Sequence, residues 1–406
     1  MKFLLFFVLL FASAALGKGF EPFPSTISSK AEVSESPSDD GDVMTSAKPE
    51  MNDTDSKGTS ASPDEGSLDP KFPENVHGCK GSDLRPTSCG KGKGGCNLQM
   101  FMSKKELSIK GKSCEEQFQS CFEKASKTLP DFKGKQMNLC MVPSKNGEID
   151  ANSTKGCIYS TSNIDNANLV EQIAKQWFNQ KEPKDKNENW LKESFPKYVK
   201  NCAFGEKSAK LAFDRDMRQV MANDYKSSSC KIVPRNPKTS PRSLATDLKG
   251  PIFLRMIEGM IGKEKMKKAI EKFLESPNAK MSTEDFGEAL QSVAKDLTGE
   301  LKDFDFKSFC KQWTTQSGFP RVYAYDDGEY VTLVQKSCGK NPTDRWDIPI
   351  FVGVRNEEGD WEPKVTMFMK DQNATQIPCG PFRRIPPLNQ DNYGLYSVQK
   401  QYGRSN

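Results

Sequence analysis

Apolar residues recur at helical spacing through the middle of the chain and alternate with polar residues towards its end. The spacing predicts amphipathic helices over Asn168–Phe178, Lys263–Glu275 and Ser282–Leu297. Ser282 and Asp285 resemble a capping box at the start of the third helix. After residue 320, short alternating runs separated by turn residues predict the strands of a small β-sandwich. These runs are Val322–Tyr325, Tyr330–Gln335, Trp346–Val354 and Lys364–Met369.

Further helices are expected around the central one, whereas the N-terminal region lacks a core pattern. Helical character extends over Cys114–Lys127, restarts at Trp190–Leu191 and continues through Tyr198–Asp224. Residues 18–74 are rich in Ser, Asp, Glu, Pro and Lys, and almost no aromatic residue follows Phe23. We predict disorder there, because such a segment buries too little apolar surface to offset the entropy of ordering.

The first 17 residues, MKFLLFFVLLFASAALG, have the pattern of a secretory signal peptide: one lysine, a short apolar run and small residues at the end. The apolar run is shorter than the roughly 20 residues that span a bilayer. No later stretch approaches that length. We therefore predict a secreted, extracellular protein without a membrane span. Asn52, Asn152 and Asn373 lie in glycosylation sequons.

The 12 cysteines are disulfide candidates in that oxidising compartment. No CxxC pair occurs, so a zinc ribbon is disfavoured, and the sequence leaves the pairing open. The Gly/Lys-rich loop Gly90–Gly95 lacks the Gly-Lys-Ser/Thr ending of a phosphate loop, which favours a disulfide-pinned loop instead. The candidates are Cys79, Cys89, Cys96, Cys114, Cys121, Cys140, Cys157, Cys202, Cys230, Cys310, Cys338 and Cys379.

Composition and charge exclude few classes of binding partner. The net charge of +5 comes from lysines that lie beside acidic residues along the helices, and no arginine stripe with interleaved aromatics is present. Nucleic acid is therefore not expected as a partner. His77 is the only histidine, so catalytic schemes that pair a serine or cysteine with histidine are disfavoured. A length of 406 residues allows two or three domains.

The central stretch resembles the zinc site of M1-family aminopeptidases. In that family, His-Glu-x-x-His is followed by Gln-Trp-Phe and then by Trp-Leu-x-Glu. The matching segments here are Glu171–Lys175 (EQIAK), Gln176–Phe178 (QWF) and Trp190–Glu193 (WLKE). The order of the segments and the flanking residues are kept. Glu171 and Lys175, however, replace the two histidines, and Gln172 replaces the glutamate that activates water.

Further segments resemble the same family in the same order between Cys114 and Met369. Leu129–Val142 resembles an edge strand that docks the substrate's N-terminus, with Met137 in place of the amine-binding glutamate. Ala245–Gly262 resembles the segment that carries the transition-state tyrosine, with Asp247 in its place. The remaining two matches are Phe309–Pro320 (FCKQWTTQSGFP) and Trp346–Ile350 (WDIPI).

The resemblance implies an α+β fold, with a thermolysin-like, mainly helical domain followed by a small β-sandwich. We assign residues 1–17 to the signal peptide, 18–74 to a disordered leader and 75–113 to a Cys/Gly-rich disulfide-pinned segment. Residues 114–320 would form the M1-like domain, 321–379 the β-sandwich and 380–406 a loosely held tail.

The replaced residues predict that the zinc expected of the family is lost, so no cofactor is assigned. The zinc site of this family requires two neutral imidazoles and a carboxylate, and of these only Glu193 remains. We expect the Lys175 ammonium to occupy the vacated position and to bridge Glu171 and Glu193. The alternative is a rotated helix or an opened cleft that leaves Glu171 and Lys175 as an ordinary solvated pair.

The sequence therefore predicts a secreted, catalytically inactive M1-aminopeptidase-like glycoprotein, a pseudoenzyme that binds peptides or proteins through the remnant cleft or its surface. Two alternatives stay open. One is an M1-like hydrolase with residual or altered peptidase activity at a rebuilt zinc site. The other is a structural secreted glycoprotein.

Overall fold

A computed structural model describes most of the chain from Leu84 onwards. The predicted signal peptide, the leader, His77, Cys79, Cys230, Asn52 and Asn373 lie outside the described residues. The described residues are 84–142, 151–227, 231–233, 245–277, 280–326, 328–338, 341–355, 361–369, 375–379, 385–389 and 392–402.

A five-stranded sheet forms the N-terminal part of the fold. Its strands lie in the order β1-β2-β3-β5-β4; β3 is parallel to both neighbours, and the outer strands β1 and β4 are antiparallel to theirs. The middle strand β3 contains Met137, so the prediction that Leu129–Val142 is an edge strand is wrong. The strands are β1 Leu84–Lys91, β2 Asn97–Ser103, β3 Gln136–Val142, β4 Ala151–Thr154 and β5 Cys157–Thr161.

Two long helical segments were predicted correctly in type but not in extent. Helix α1, Lys104–Thr128, begins ten residues before the predicted Cys114. Ser103 caps it by accepting a hydrogen bond from the Glu106 amide at 3.2 Å. The helix predicted over Tyr198–Asp224 is divided in two, because Gly205 adopts φ 92°, a conformation that a helix cannot continue through.

The remaining helices lie before and after this divided pair in the sequence. The periodicity predicted α6 (Lys263–Glu275) to the residue, and it predicted α7 (Thr283–Val293) with an end four residues too late. Ser282 caps α7, its hydroxyl accepting from the Asp285 amide at 3.1 Å. The helices are α2 Asn166–Phe178, α3 Trp190–Cys202, α4 Glu206–Ser227, α5 Gly250–Ile261, α6 Lys263–Glu275, α7 Thr283–Val293 and α8 Phe306–Thr315. A π-helix, Ala245–Lys249, leads into α5, and the two-residue strands β6 (Glu182–Pro183) and β7 (Lys280–Met281) pair in parallel.

The C-terminal region folds into two small sheets, and all four predicted strands are present. One sheet has the order β12-β9-β8-β13, and the other pairs β10 with β11. The prediction that residues 380–406 form a loose tail is wrong, because β13 pairs in parallel with β8 and the Tyr396 hydroxyl accepts from the Phe351 amide at 3.1 Å. The strands are β8 Pro320–Asp326, β9 Tyr330–Ser337, β10 Ile348–Arg355, β11 Trp361–Met369, β12 Thr375–Pro378 and β13 Ser397–Tyr402.

One hydrophobic core connects the N-terminal sheet, the helices and the C-terminal sheets, with Trp190, Trp313 and Trp346 among its largest fully buried side chains. The predicted α+β fold is thereby confirmed. Within the described ranges, none of the helices combines the length and the apolar character that crossing a bilayer requires.

Candidate functional site

The helix α2 that carries the EQIAK segment is fixed to the fold by the three residues that follow the segment. Gln176 is fully buried; its Oε1 accepts from the Gly156 amide, and its Nε2 donates to the Thr154 carbonyl, each at 2.8 Å. Trp177 Nε1 donates to the Pro130 carbonyl at 3.0 Å. Phe178 stacks on Phe195 of α3 with ring centroids 4.7 Å apart. These contacts position α2 between the edge strand β4 and α3.

Glu171 forms an ion pair, but its partner is Lys200 of α3 and not Lys175. Glu171 Oε2 contacts Lys200 Nζ, and the two side chains are 9% and 24% exposed. Within the described part of the chain no ion pair joins Lys175 to Glu193, so the predicted bridge is wrong. Sequence reasoning missed Lys200 because it lies 29 residues beyond Glu171 and outside every matched motif.

Asp247 lies on the π-helix and pairs with Lys197 of α3 through its Oδ1. With 3.6 residues per turn, Glu193, Lys197 and Lys200 project from one face of α3. The structure thus brings Glu171 and Asp247 to the same face of α3 that carries Glu193. Lys197 pairs with Asp247 and Lys200 pairs with Glu171, so positive and negative side chains are paired on this face of α3.

Gln172, at the position matched to the family's general base, is buried, and its Oε1 has no hydrogen-bond partner among the described residues. Its backbone carbonyl accepts from the Ser153 hydroxyl at 3.1 Å. A neutral amide cannot take a proton from water, so Gln172 cannot replace a glutamate as a base.

Met137 does not line the face formed by α2 and α3, because it is fully buried in the central strand β3. The edge strand next to α2 is β4, where Ser153 contacts both Gln172 and Gln176. The assignment of Met137 to the amine-binding position is therefore corrected: the edge position beside the motif belongs to Ser153. Strand order depends on long-range pairing, so no local pattern could have identified it.

The residues present do not fit the zinc ion of the family. The only carboxylate in the EQIAK segment is Glu171, which Lys200 already neutralises. Lys175 offers an ammonium, which has no lone pair to donate to a metal. Across the described ranges, His, Cys, Asp and Glu side chains form no cluster of three that could hold a metal ion.

The cysteines differ from the predicted set of disulfides. Cys140 is disulfide-bonded, whereas seven candidates carry free thiols: Cys89, Cys96, Cys114, Cys121, Cys157, Cys202 and Cys310. Burial raises the pKa of Cys89 to about 12 and that of Cys96 to about 11. Such thiols stay protonated near neutral pH and are poor nucleophiles. Among the sequons, Asn152 is exposed on β4.

Comparison with known proteins connects this geometry to one family. Residues 128–313 match the model described as "Peptidase family M1 domain". The chain is 26% identical to "Aminopeptidase N" of Haemonchus contortus over 258 residues, covering 56% of this chain and 26% of that protein. It is 26% identical to "Probable aminopeptidase 2" of Sulfurisphaera tokodaii over 250 residues, covering 57% and 29%. It is 25% identical to "Endoplasmic reticulum aminopeptidase 2" of Homo sapiens over 224 residues, covering 48% and 22%.

The chain spans only about a quarter of the length of these relatives. The region matched by the family model includes α2 to α7, most of α8 and the EQIAK segment. Over residues 128–313 this chain is therefore similar to the peptidase domain of family M1.

Proposed function

We propose that the M1-type domain of this protein is catalytically inactive and acts as a pseudoenzyme, binding peptides or proteins through its remnant cleft or surface. The observation that carries this proposal is the Lys200–Glu171 ion pair at the position matched to the first zinc ligand. A carboxylate held by an ammonium within a largely buried contact would have to give up that partner before it could bind a metal.

The other positions support the same conclusion. Gln172 cannot act as the base, Lys175 cannot act as a ligand, and Asp247, at the position of the family's tyrosine, is neutralised by Lys197. A carboxylate at this position would repel a developing oxyanion, which a phenol would stabilise. No described residue at these positions supplies the missing chemistry. The signal-like sequence of residues 1–17 supports secretion as part of the proposal.

Turnover and binding measured on one sample test the proposal. The secreted protein is incubated with a panel of aminopeptidyl-coumarin substrates, and its affinity for peptides is measured by fluorescence anisotropy. We expect no turnover above a heat-denatured control, together with saturable binding of some peptides. Turnover that a zinc chelator abolishes would contradict the loss of catalysis. No turnover and no peptide binding would favour a purely structural glycoprotein.

A further inference from the structure

A cavity lies on the side of α3 that faces away from the EQIAK segment. Tyr198 and Cys202 line it, and they project from α3 opposite to Glu193, Lys197 and Lys200. The cavity is enclosed by α1, α3, α4, α5 and α6 and has a volume of about 190 Å³. At a share of ~30 Å³ per water molecule this is room for about six waters, or for one small organic molecule.

Arg255 of α5 gives one wall of this cavity a positive charge. Its side chain is 1% exposed, and its guanidinium lies between the rings of Phe213 and Tyr393, at 4.5 and 4.2 Å from their centroids. Its Nη2 contacts Glu206 at 3.4 Å, and its Nε has no hydrogen-bond partner within the described part of the chain. A buried guanidinium with unused hydrogen-bonding capacity favours an incoming carboxylate.

Three lysines and two helix N-termini add to this positive potential. Lys127 of α1 and Lys263 and Lys267 of α6 line the cavity. Helices α4 and α6 both begin there, and Gly262 precedes α6 without a side-chain cap for its first amides. The free amides at a helix start attract negative charge.

Carboxyl groups face the same space. Glu258 of α5 is 5% exposed and accepts a hydrogen bond from the Tyr198 hydroxyl, and Glu264 lies at the rim. Glu206 is already shared by Lys263 at 2.6 Å, the Tyr393 hydroxyl at 3.0 Å and Arg255. Glu258 and Glu264 therefore remain as the groups that can accept from an ammonium. A simple anion would be repelled by these two glutamates, and a simple cation by the arginine and lysines.

We propose that this cavity binds one free amino acid as a zwitterion. The ligand carboxylate lies against Arg255, Lys263 and the start of α6, and the ligand ammonium lies against Glu258 and Glu264. The volume accommodates a single residue and not a peptide. None of the lining residues belongs to the positions matched to the zinc site, so this inference stands or falls independently of the proposed loss of catalysis.

Three related ligands distinguish recognition of the whole zwitterion from recognition of its carboxylate or its ammonium alone. Isothermal titration calorimetry of the full secreted protein at neutral pH and fixed ionic strength would compare L-leucine, N-acetyl-L-leucine and L-leucinamide. The second ligand lacks the ammonium, and the third lacks the carboxylate. We expect leucine to bind, and each blocked derivative to bind about tenfold more weakly or worse. Equal binding of N-acetyl-leucine, or no heat from leucine at millimolar concentration, would overturn the proposal.

A matched pair of lysine variants assigns the binding to this cavity. Lys263 has a side chain 66% exposed, so Lys263→Met removes a charge at the rim without opening the core. Lys307→Met is the control: Lys307 also pairs with glutamates, at 43% exposure, and lies on α8 outside the cavity lining. We expect about a tenfold loss of leucine affinity in the first variant and no change in the second. Equal affinity of the two variants for leucine would show that leucine binds outside this cavity.

Discussion

The carboxylate of Glu171 is nearly buried, and Lys200 is the cation beside it. Replacing Lys200→Ala would leave that charge without its partner. We expect the free energy of unfolding to fall by about 2–3 kcal/mol, somewhat below the loss for a fully buried pair because Lys200 is partly exposed. Urea unfolding monitored by circular dichroism would measure the change.

Lys133→Ala is the matched control for this prediction. Lys133 pairs with Glu275 at 3.2 Å, and the two side chains are 70% and 51% exposed. Pairs of that kind contribute only about 0–1 kcal/mol. Similar losses in the two variants would show that the Lys200–Glu171 pair has no special role in joining α2 to α3.

Glu258 gives the protein a predictable dependence on pH. Burial raises the pKa of its carboxyl above the ordinary 4.5, although the Tyr198 hydrogen bond and Arg255 oppose the shift. A carboxyl that binds its proton more tightly when folded contributes stability below the unfolded pKa. That contribution is lost as the pH rises through the folded pKa.

Glu258→Gln should therefore be close to the parent protein in stability below about pH 4.5 and increasingly more stable than it at higher pH. The two proteins would be compared by urea unfolding at a series of pH values. A stability difference that stays constant with pH, or that grows towards acid, would contradict the raised pKa.

The contact between α2 and β4 depends on the buried amide of Gln176. In Gln176→Leu, the Gly156 amide and the Thr154 carbonyl would lose their partner. We expect a loss of about 1–3 kcal/mol in the free energy of unfolding. Gln180→Leu is the control, because Gln180 is exposed and donates a single bond, of 3.0 Å, to the Gln176 carbonyl. Equal effects at the two positions would contradict the proposed role of Gln176.

Local sequence patterns predicted the positions of the helices, but they did not predict the contacts between elements. The apolar spacing predicted α2 and α6, and the capping pattern predicted the start of α7. The central position of β3 and the parallel pairing of β13 with β8 depend on strands distant in sequence, which no local period reveals. The partner of Glu171 could not be predicted for the same reason: Lys200 approaches it only after α2 and α3 pack.

The hydrophobic core continues from the N-terminal sheet to the last described strand, so the C-terminal segment is part of the fold. Leu395 and Tyr396 are buried, with 0% and 1% of their surfaces exposed. A chain ending at residue 391 should lose several kcal/mol of stability, since each large apolar side chain removed from the core contributes about 1.5–3 kcal/mol. A chain ending at residue 402 keeps β13 and serves as the control. Thermal unfolding would compare the two shortened chains. Equal unfolding midpoints would contradict a contribution of residues 392–402 to stability and would support a loose tail.

The central proposal is that a domain similar to the peptidase domain of family M1 carries ion pairs at positions matched to the family's zinc site. The combined replacements Glu171→His, Gln172→Glu, Lys175→His and Lys200→Ala recreate the His-Glu-x-x-His motif opposite Glu193. They should restore zinc binding if α2 and α3 hold these positions as the family's zinc site does. The unmodified protein is the comparison for this rebuilt variant.

Zinc content measured by elemental mass spectrometry on both proteins is the most direct test. We predict far less than one equivalent of zinc in the unmodified protein and about one equivalent in the rebuilt variant. One equivalent in the unmodified protein that is lost on Glu193→Ala would contradict the account, because zinc would then be held by a site built from other ligands.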